Sequence, residues 1–194
     1  MRLKYDKIVN YYQHGELCPL CNNTMVDNYH EISCNRNGYM KTWRHDQIVK
    51  ALLNAINNDK NPRPVARKND NVPDDRKLVD IECNIDGKKW GIDVQFSKPG
   101  LEWQKFEGKK NKYENDYGQN VLPFIVGYSG YIWNESKKMM KKYLPEIEEE
   151  YIYKEIITTI VRANYRARQE YTEKIKNGIN EERITRVRPF KSRN

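Results

Sequence analysis

The stretch Lys77–Phe96 reads KLVDIECNIDGKKWGIDVQF, and it decides the fold. Asp86-Gly87 is a strong signal for a two-residue turn between antiparallel strands. Because hairpin residues pair in order outward from the turn, Ile85 lies opposite Lys88 and every other pair follows. The sequence therefore predicts a β-hairpin, with Asp80 and Asp93 on opposite strands.

Alternation along the two strands sorts their side chains onto two faces. The first face is apolar and consists of Val79, Ile81, Cys83, Ile85, Trp90, Ile92, Val94 and Phe96. The second face consists of Asp80, Glu82, Asp93 and Gln95. Burial of the first face against a core would therefore gather the acids on the second.

Asp80 and Asp93 face each other in this predicted register. Cβ atoms of directly opposed residues are about 4.5–5.5 Å apart, where like charges destabilise a hairpin. A divalent cation would compensate, because Mg²⁺ binds one or two carboxylates together with waters and a substrate phosphate. We therefore predict a Mg²⁺ or Mn²⁺ site that hydrolyses phosphodiesters, with a solvated acidic face as the simpler alternative.

A helix is predicted from Leu101 to Tyr117, directly after the hairpin. It carries Lys109, Lys110, Lys112 and Tyr113. A lysine beside a metal could stabilise the charge on the attacked phosphate, and a tyrosine hydroxyl could assist. A lysine-rich helix surface without catalytic function is the alternative.

A second candidate site lies near the N-terminus. Cys18, Cys21, His30 and Cys34 form the pattern C-x2-C-x8-H-x3-C, and zinc takes four such ligands in a tetrahedron. Such a knuckle has too little apolar mass to fold without metal, so the zinc would be structural. His14 and His45 are possible substitute ligands.

The chain is basic, with 35 Lys and Arg against 27 Asp and Glu and a net charge of +8 among 194 residues. This balance favours a polyanionic partner, and the segment 162–194 carries most of the excess. No apolar run is long enough to span a membrane, and the N-terminus lacks the apolar stretch of a signal peptide. We expect an intracellular protein.

The predicted fold class is α/β, with a mixed central sheet flanked by helices and a small N-terminal zinc knuckle. The sheet is built from the hairpin and a strand at Val121–Val126. One helix is expected from about Asp46 to Asn57 and a long amphipathic helix from Ile147 to Lys176. The expected divisions are 1–60 for the knuckle and helix, 61–76 for a linker, and 77–194 for the core with its basic C-terminus.

From about Cys18 to Trp133 the chain resembles the restriction-like endonuclease domain of site-specific LINE (non-LTR) retrotransposons, a member of the PD-(D/E)xK nuclease superfamily. The shared elements occur in order: the Cys/His knuckle, Arg44-His45-Asp46 at a helix start, two aspartates with twelve residues between them, and the cluster Lys109–Tyr113. The resemblance implies a restriction-endonuclease-like core.

It also implies that Asp80 and Asp93 bind the metal and that the catalytic lysine lies on the following helix. Gln95 occupies the position where other superfamily members carry that lysine. Contacts with DNA are expected from Arg44, His45, Arg76, Lys112, Arg162, Arg166 and Arg168. Two departures stand out: Val79 replaces the usual proline before the first aspartate, and the expected arginine, Arg76, is slightly displaced.

The activity implied is nicking of one strand of double-stranded DNA to leave a 3′-hydroxyl that primes reverse transcription. The expected partners are the reverse transcriptase region of the same element and the element RNA, with a possible homodimer and a nuclear location. We expect this chain to be the endonuclease portion of a longer polyprotein.

Three alternatives stay open at this point. Asp74 or Asp75 could be the first acid with Asp86 as the second, although Asp86 would then lie in the turn. The protein could be a non-catalytic zinc-knuckle module that binds DNA. It could also be a standalone nuclease of the same superfamily, such as a junction resolvase.

Overall fold

A computed structural model describes residues 16–24, 26–27, 29–56, 60, 62–64 and 78–187. The chain divides into two compact units. We call Trp43–Arg162 the sheet unit, and Met1–Thr42 with Ala163–Asn194 the knuckle unit. His14, Asp74, Asp75 and Arg76 lie outside the described residues, and the division into 1–60, 61–76 and 77–194 stays a prediction.

The sheet unit contains four strands in the order β1 (Arg63–Pro64), β2 (Ile81–Ile85), β3 (Lys88–Ser97) and β4 (Val121–Gly127). The β1–β2 and β2–β3 pairs are antiparallel, and β3 and β4 are parallel. The helices of the described residues are α1 (His30–Ser33), α2 (Gly38–Ala55), α3 (Glu102–Tyr117), α4 (Asn134–Tyr143) and α5 (Glu149–Val187), with a 3-10 turn at Asn35–Asn37. The predicted α/β class with a mixed sheet flanked by helices is confirmed.

The hairpin register matches the prediction, since Ile81 pairs with Ile92, Cys83 with Trp90 and Ile85 with Lys88. Asp86 and Gly87 have φ values of 50° and 71°. Both lie in the left-handed region that a type I′ turn requires, which explains the choice of Asp-Gly. Seven of the eight residues of the apolar face are buried as expected and pack with Ile48 and Leu52 of α2 and with Ile56 just after it. Val79, the eighth, packs instead with Tyr113 and Tyr117 of α3, so its predicted place on that face is wrong.

The acidic face is buried as well, which the sequence did not indicate. Asp93 is 3% exposed and Glu82 is 9% exposed. Helix α3 connects β3 to the parallel strand β4 and packs on both strands. A parallel pair needs such a crossover, and the crossover covers the sheet face from which the acids project.

Two predicted helices have different bounds in the structure. Helix α2 begins at Gly38, eight residues before the expected start at Asp46, so Asp46 lies inside the helix and is not its N-cap. Helix α5 continues to Val187, beyond the predicted end at Lys176. No proline interrupts either extension, and α5 continues through Asn177-Gly178 although that pair is typical of turns. Within the described residues, no helix is long and apolar enough to cross a membrane.

The outer edge of β4 is closed by a side chain. Ser136 Oγ accepts a hydrogen bond from the Ile125 amide at 2.9 Å and donates one to the Pro123 carbonyl at 2.8 Å. Ser136 is fully buried, so both backbone groups depend on it. The Trp133 amide donates to the Ile125 carbonyl at 3.0 Å on the same edge.

We predict that Ser136→Ala destabilises the protein by about 1–3 kcal/mol, because it leaves a buried N–H and a buried carbonyl without a partner. Urea unfolding followed by circular dichroism measures the change. Lys138→Ala on the exposed side of α4 is the control. A midpoint for Ser136→Ala equal to that of the control would contradict this role of the serine.

Candidate active site and metal centre

Asp93 lies on β3, the central strand of the sheet unit, and two side chains of α3 converge on its carboxylate. Lys109 Nζ is 2.5 Å from Asp93 Oδ2, and the Tyr113 hydroxyl donates a hydrogen bond to Oδ1. The three residues are mostly buried, with Lys109 at 19% exposed. Helix α3 places Lys109 and Tyr113 one turn apart, so both reach the same carboxylate.

Burial changes the pKa values of Asp93 and Tyr113. Desolvation raises the pKa of Asp93 above its usual value of 3.8, against the opposing attraction of Lys109. Burial and the nearby Asp93 charge raise the pKa of Tyr113 as well. Tyr113 therefore stays protonated at neutral pH and acts as a hydrogen-bond donor.

Asp80 lies one residue before β2 and belongs to the same site. Its amide donates to the Ile92 carbonyl at 3.0 Å, and its Oδ2 accepts a hydrogen bond from the Val94 amide at 2.7 Å. His45 Nε2 of α2 is 3.0 Å from the same oxygen. The charge of Asp80 contributes to the raised pKa of Asp93, so the two carboxylates interact.

The three candidate lysines of α3 occupy different positions. Only Lys109 forms an ion pair with Asp93 among the contacts of the described residues. Lys112 Nζ donates to the Tyr113 hydroxyl at 2.6 Å, and Lys110 Nζ lies 5.7 Å from the centre of the Phe106 ring. The geometry therefore favours Lys109 as the lysine of the site.

A second buried acid lies beside this site. Glu82 Oε1 accepts a hydrogen bond from the Tyr117 hydroxyl at 2.5 Å and lies 2.5 Å from Lys89 Nζ. Tyr117 reaches Glu82 across Gly91, where an added Cβ would lie only 3.2 Å from the tyrosine ring. The sequence places Glu82 on the acidic face but gave no sign of this partner.

The residues predicted to contact DNA are found in different environments. Arg44 is 2% exposed and lies over the Phe96 and Tyr128 rings at 4.2 and 4.9 Å. Burial lowers the pKa of Arg44 to about 10. A phosphate contact would require it to leave these rings, whereas Arg162 and Arg166 are exposed on α5.

The knuckle unit brings the four predicted zinc ligands together. Their donor atoms all lie within 4.8 Å of one another, and the ligands are Cys18, Cys21, His30 and Cys34. The Cys18 and Cys34 sulfurs are 3.9 Å apart, and Cys21 Sγ is 3.6 Å from His30 Nε2. A tetrahedral zinc with Zn–S bonds of about 2.3 Å would separate its sulfurs by about 3.8 Å, so the donor set fits zinc.

One aromatic residue supports this cluster from far along the chain. The Tyr171 hydroxyl of α5 lies 3.2 Å from Cys18 Sγ, and its ring meets the His30 ring edge-on. Burial raises the pKa of Tyr171, so its hydroxyl stays protonated beside the sulfur. Groups that hydrogen-bond to metal ligands orient them and tune the metal.

No model of a known protein family matches this sequence, and no curated protein is significantly similar to it.

We predict that the purified protein carries about one zinc ion per chain and that Cys34→Ser loses it. The matched control is Cys83→Ser, since Cys83 lies buried in the sheet unit and outside the four-ligand cluster. Elemental analysis of both variants checks this. Equal zinc content in wild type and Cys34→Ser would show that these residues do not bind it.

We also predict that Asp93→Asn raises Tm at neutral pH. Because burial raises the pKa of Asp93 in the folded state, its charge destabilises the fold above that pKa, and this effect disappears below the ordinary value of 3.8. The Tm difference should therefore narrow as pH falls towards 3.8. Asp116→Asn, at an exposed position of α3, is the control and should show no such trend.

Proposed function

We propose that this protein is a metal-dependent DNA endonuclease whose site is formed by Asp80, Asp93, Lys109 and Tyr113. The observation that carries the proposal is the contact of Lys109 with a buried carboxylate. A buried acid that is costly to ionise, beside a lysine, is typical of functional sites more than of structural ones. The lysine comes from the helix after Asp93, as the resemblance to restriction-like endonucleases implies.

The donor set suits Mg²⁺ or Mn²⁺, because both ions prefer carboxylate oxygens and retain waters. Asp93 Oδ2 lies 2.5 Å from Lys109 Nζ, so a bound metal would share this carboxylate with the lysine. The metal, when bound, would polarise the phosphate and activate a water. Asp80 and Asp93 are the residues that would hold it.

The other residues of the site have roles that follow from their contacts. Tyr113 donates to Asp93 and orients its carboxylate. His45 does the same for Asp80. Lys109, whose ammonium is the cation closest to Asp93, is placed to stabilise negative charge on the attacked phosphate.

The substrate we propose is double-stranded DNA, which the net charge of +8 favours. Arg162 and Arg166, which are exposed on α5, would contact phosphates. As in the LINE endonucleases that the sequence resembles, the product would be a nick whose 3′-hydroxyl primes reverse transcription. The reverse transcriptase region and RNA of the same element would be the partners, in the nucleus, with a homodimer for cutting both strands.

A non-catalytic DNA-binding module is the second candidate. It is favoured by the engagement of both Asp93 oxygens by protein groups. In the described part of the chain, the Cys/His cluster is also the only group of three or more potential metal ligands. The nicking experiment below separates the two candidates.

We predict that the protein nicks supercoiled plasmid with Mg²⁺ and not with EDTA, and that Lys109→Ala lowers the rate by about 100-fold or more. The matched control is Lys110→Ala, the neighbouring lysine that lies over Phe106, with all rates measured at saturating DNA so that weaker binding does not lower them. It should retain most of the activity, and Asp93→Ala should abolish nicking without loss of DNA binding.

Equal losses in Lys109→Ala and Lys110→Ala would reject the assignment of Lys109. Binding of DNA without metal-dependent nicking by the wild type would support the binding module.

A further inference from the structure

A group of aromatic rings with one exposed member, Trp103, lies at the start of α3, the helix that carries Lys109. Trp103 is 60% exposed, although tryptophan is usually covered in a folded protein. Its ring centre is 6.0 Å from that of Phe106 and 5.9 Å from that of Trp133. We call Trp103, Phe106 and Trp133 the aromatic platform.

The platform has a partly buried base. Phe106 is buried, and its ring centre is 5.2 Å from that of Trp133, so these two rings form a base beneath Trp103. Trp103 and Phe106 are nearly parallel, at 23°. The exposed indole therefore presents a flat face on which a flat ligand can stack.

Positive charge adjoins the platform. Lys110 follows Trp103 by two helical turns on the same face, and its ammonium lies 5.7 Å from the Phe106 ring centre. Lys109, at the candidate active site, is six residues from Trp103, which corresponds to about 9 Å along the helix. A ligand that combines a π face with a phosphate suits this arrangement of rings and lysines.

We propose that the aromatic platform binds an unpaired nucleobase of the DNA substrate, a few nucleotides from the phosphate at the candidate active site. This inference rests on the proposed function, because it assigns a role to unpaired bases of the same DNA. Bases inside a duplex cannot stack on Trp103, so the platform favours DNA with single-stranded, bulged or melted segments. Stacking on aromatic rings is tolerant of base identity, so no sequence preference is required.

Charge argues against a second copy of this chain as the occupant. The platform lies beside Lys110, so two copies docked platform to platform would bring their Lys110 ammonium groups together. A polyanion gains from the same charges. The platform is also small, with only Trp103 and Leu101 among the exposed large hydrophobic residues of this region.

The test measures binding without cleavage, in EDTA, using the full-length protein and fluorescently labelled oligothymidylate. A second probe is an abasic oligonucleotide of equal length, which has the same phosphates and no bases. We expect wild type to bind oligothymidylate about tenfold more tightly than the abasic strand. Trp103→Ala should lose this preference, and Trp103→Phe should retain part of it.

Tyr151→Ala is the matched control, because Tyr151 is another exposed aromatic residue of the sheet unit, at 45% exposed, outside the platform. It should behave as wild type on both probes. Equal oligothymidylate affinity in Trp103→Ala and wild type would overturn the inference, and so would an equal loss on the abasic strand. Self-association of wild type that Trp103→Ala abolishes would overturn it in favour of a protein partner.

The binding test of the platform and the nicking test of the nuclease can fail independently of each other. Base-dependent binding without nicking would retain the platform and reject the nuclease. Metal-dependent nicking by a protein whose Trp103→Ala variant binds both probes normally would retain the nuclease and reject the platform.

Discussion

Burial of the apolar face of the β2–β3 hairpin is the constraint on which the sheet unit depends. The Asp86-Gly87 turn and the alternation of side chains specify one register, and a slip by one residue would move every apolar side chain to the other face. In the observed register Ile81 and Ile92 are paired and buried. The same register directs Glu82 and Asp93 to the face that α3 covers.

Covering that face has an energetic consequence. Asp93 lies on a strand that pairs with neighbours on both sides, and α3 removes it from water. A buried carboxylate is unfavourable unless it is paired, and Lys109 and Tyr113 supply the partners. Ordinary core packing would be served better by an apolar residue at this position. The presence of an acid at this buried position is the physical reason to propose a function for Asp93.

Among the described residues of the knuckle unit, the buried cluster around the ligands is small. It joins Cys18 and Cys34 to Tyr171 and Ile175 of α5. Lys174 Nζ also donates to the Arg36 carbonyl at 2.7 Å, and Arg168 lies 3.3 Å from Glu31. The knuckle is therefore held by its ligand cluster and by the C-terminal part of α5. Arg168, predicted to contact DNA, has one such structural contact.

Local sequence patterns were enough to predict several features of this protein. The hairpin register, the strand at Val121 and the Cys/His cluster could all be predicted, because each depends on residues close in sequence or on strict alternation. The contacts that define the sites could not. Tyr171 is 153 positions from Cys18, and His45 is 35 positions from Asp80.

The choice among Lys109, Lys110 and Lys112 also needed the fold. The three lysines are equivalent in sequence, and only the rotation of α3 against β3 decides which one reaches Asp93. The sequence predicted that Arg44 contacts DNA. In the structure α2 begins at Gly38, and the Arg44 side chain lies over the Phe96 and Tyr128 rings. The sequence thus determined which residues carry charge and which faces are apolar. Tertiary packing decided which charges are buried together, because burial depends on elements that are distant along the chain.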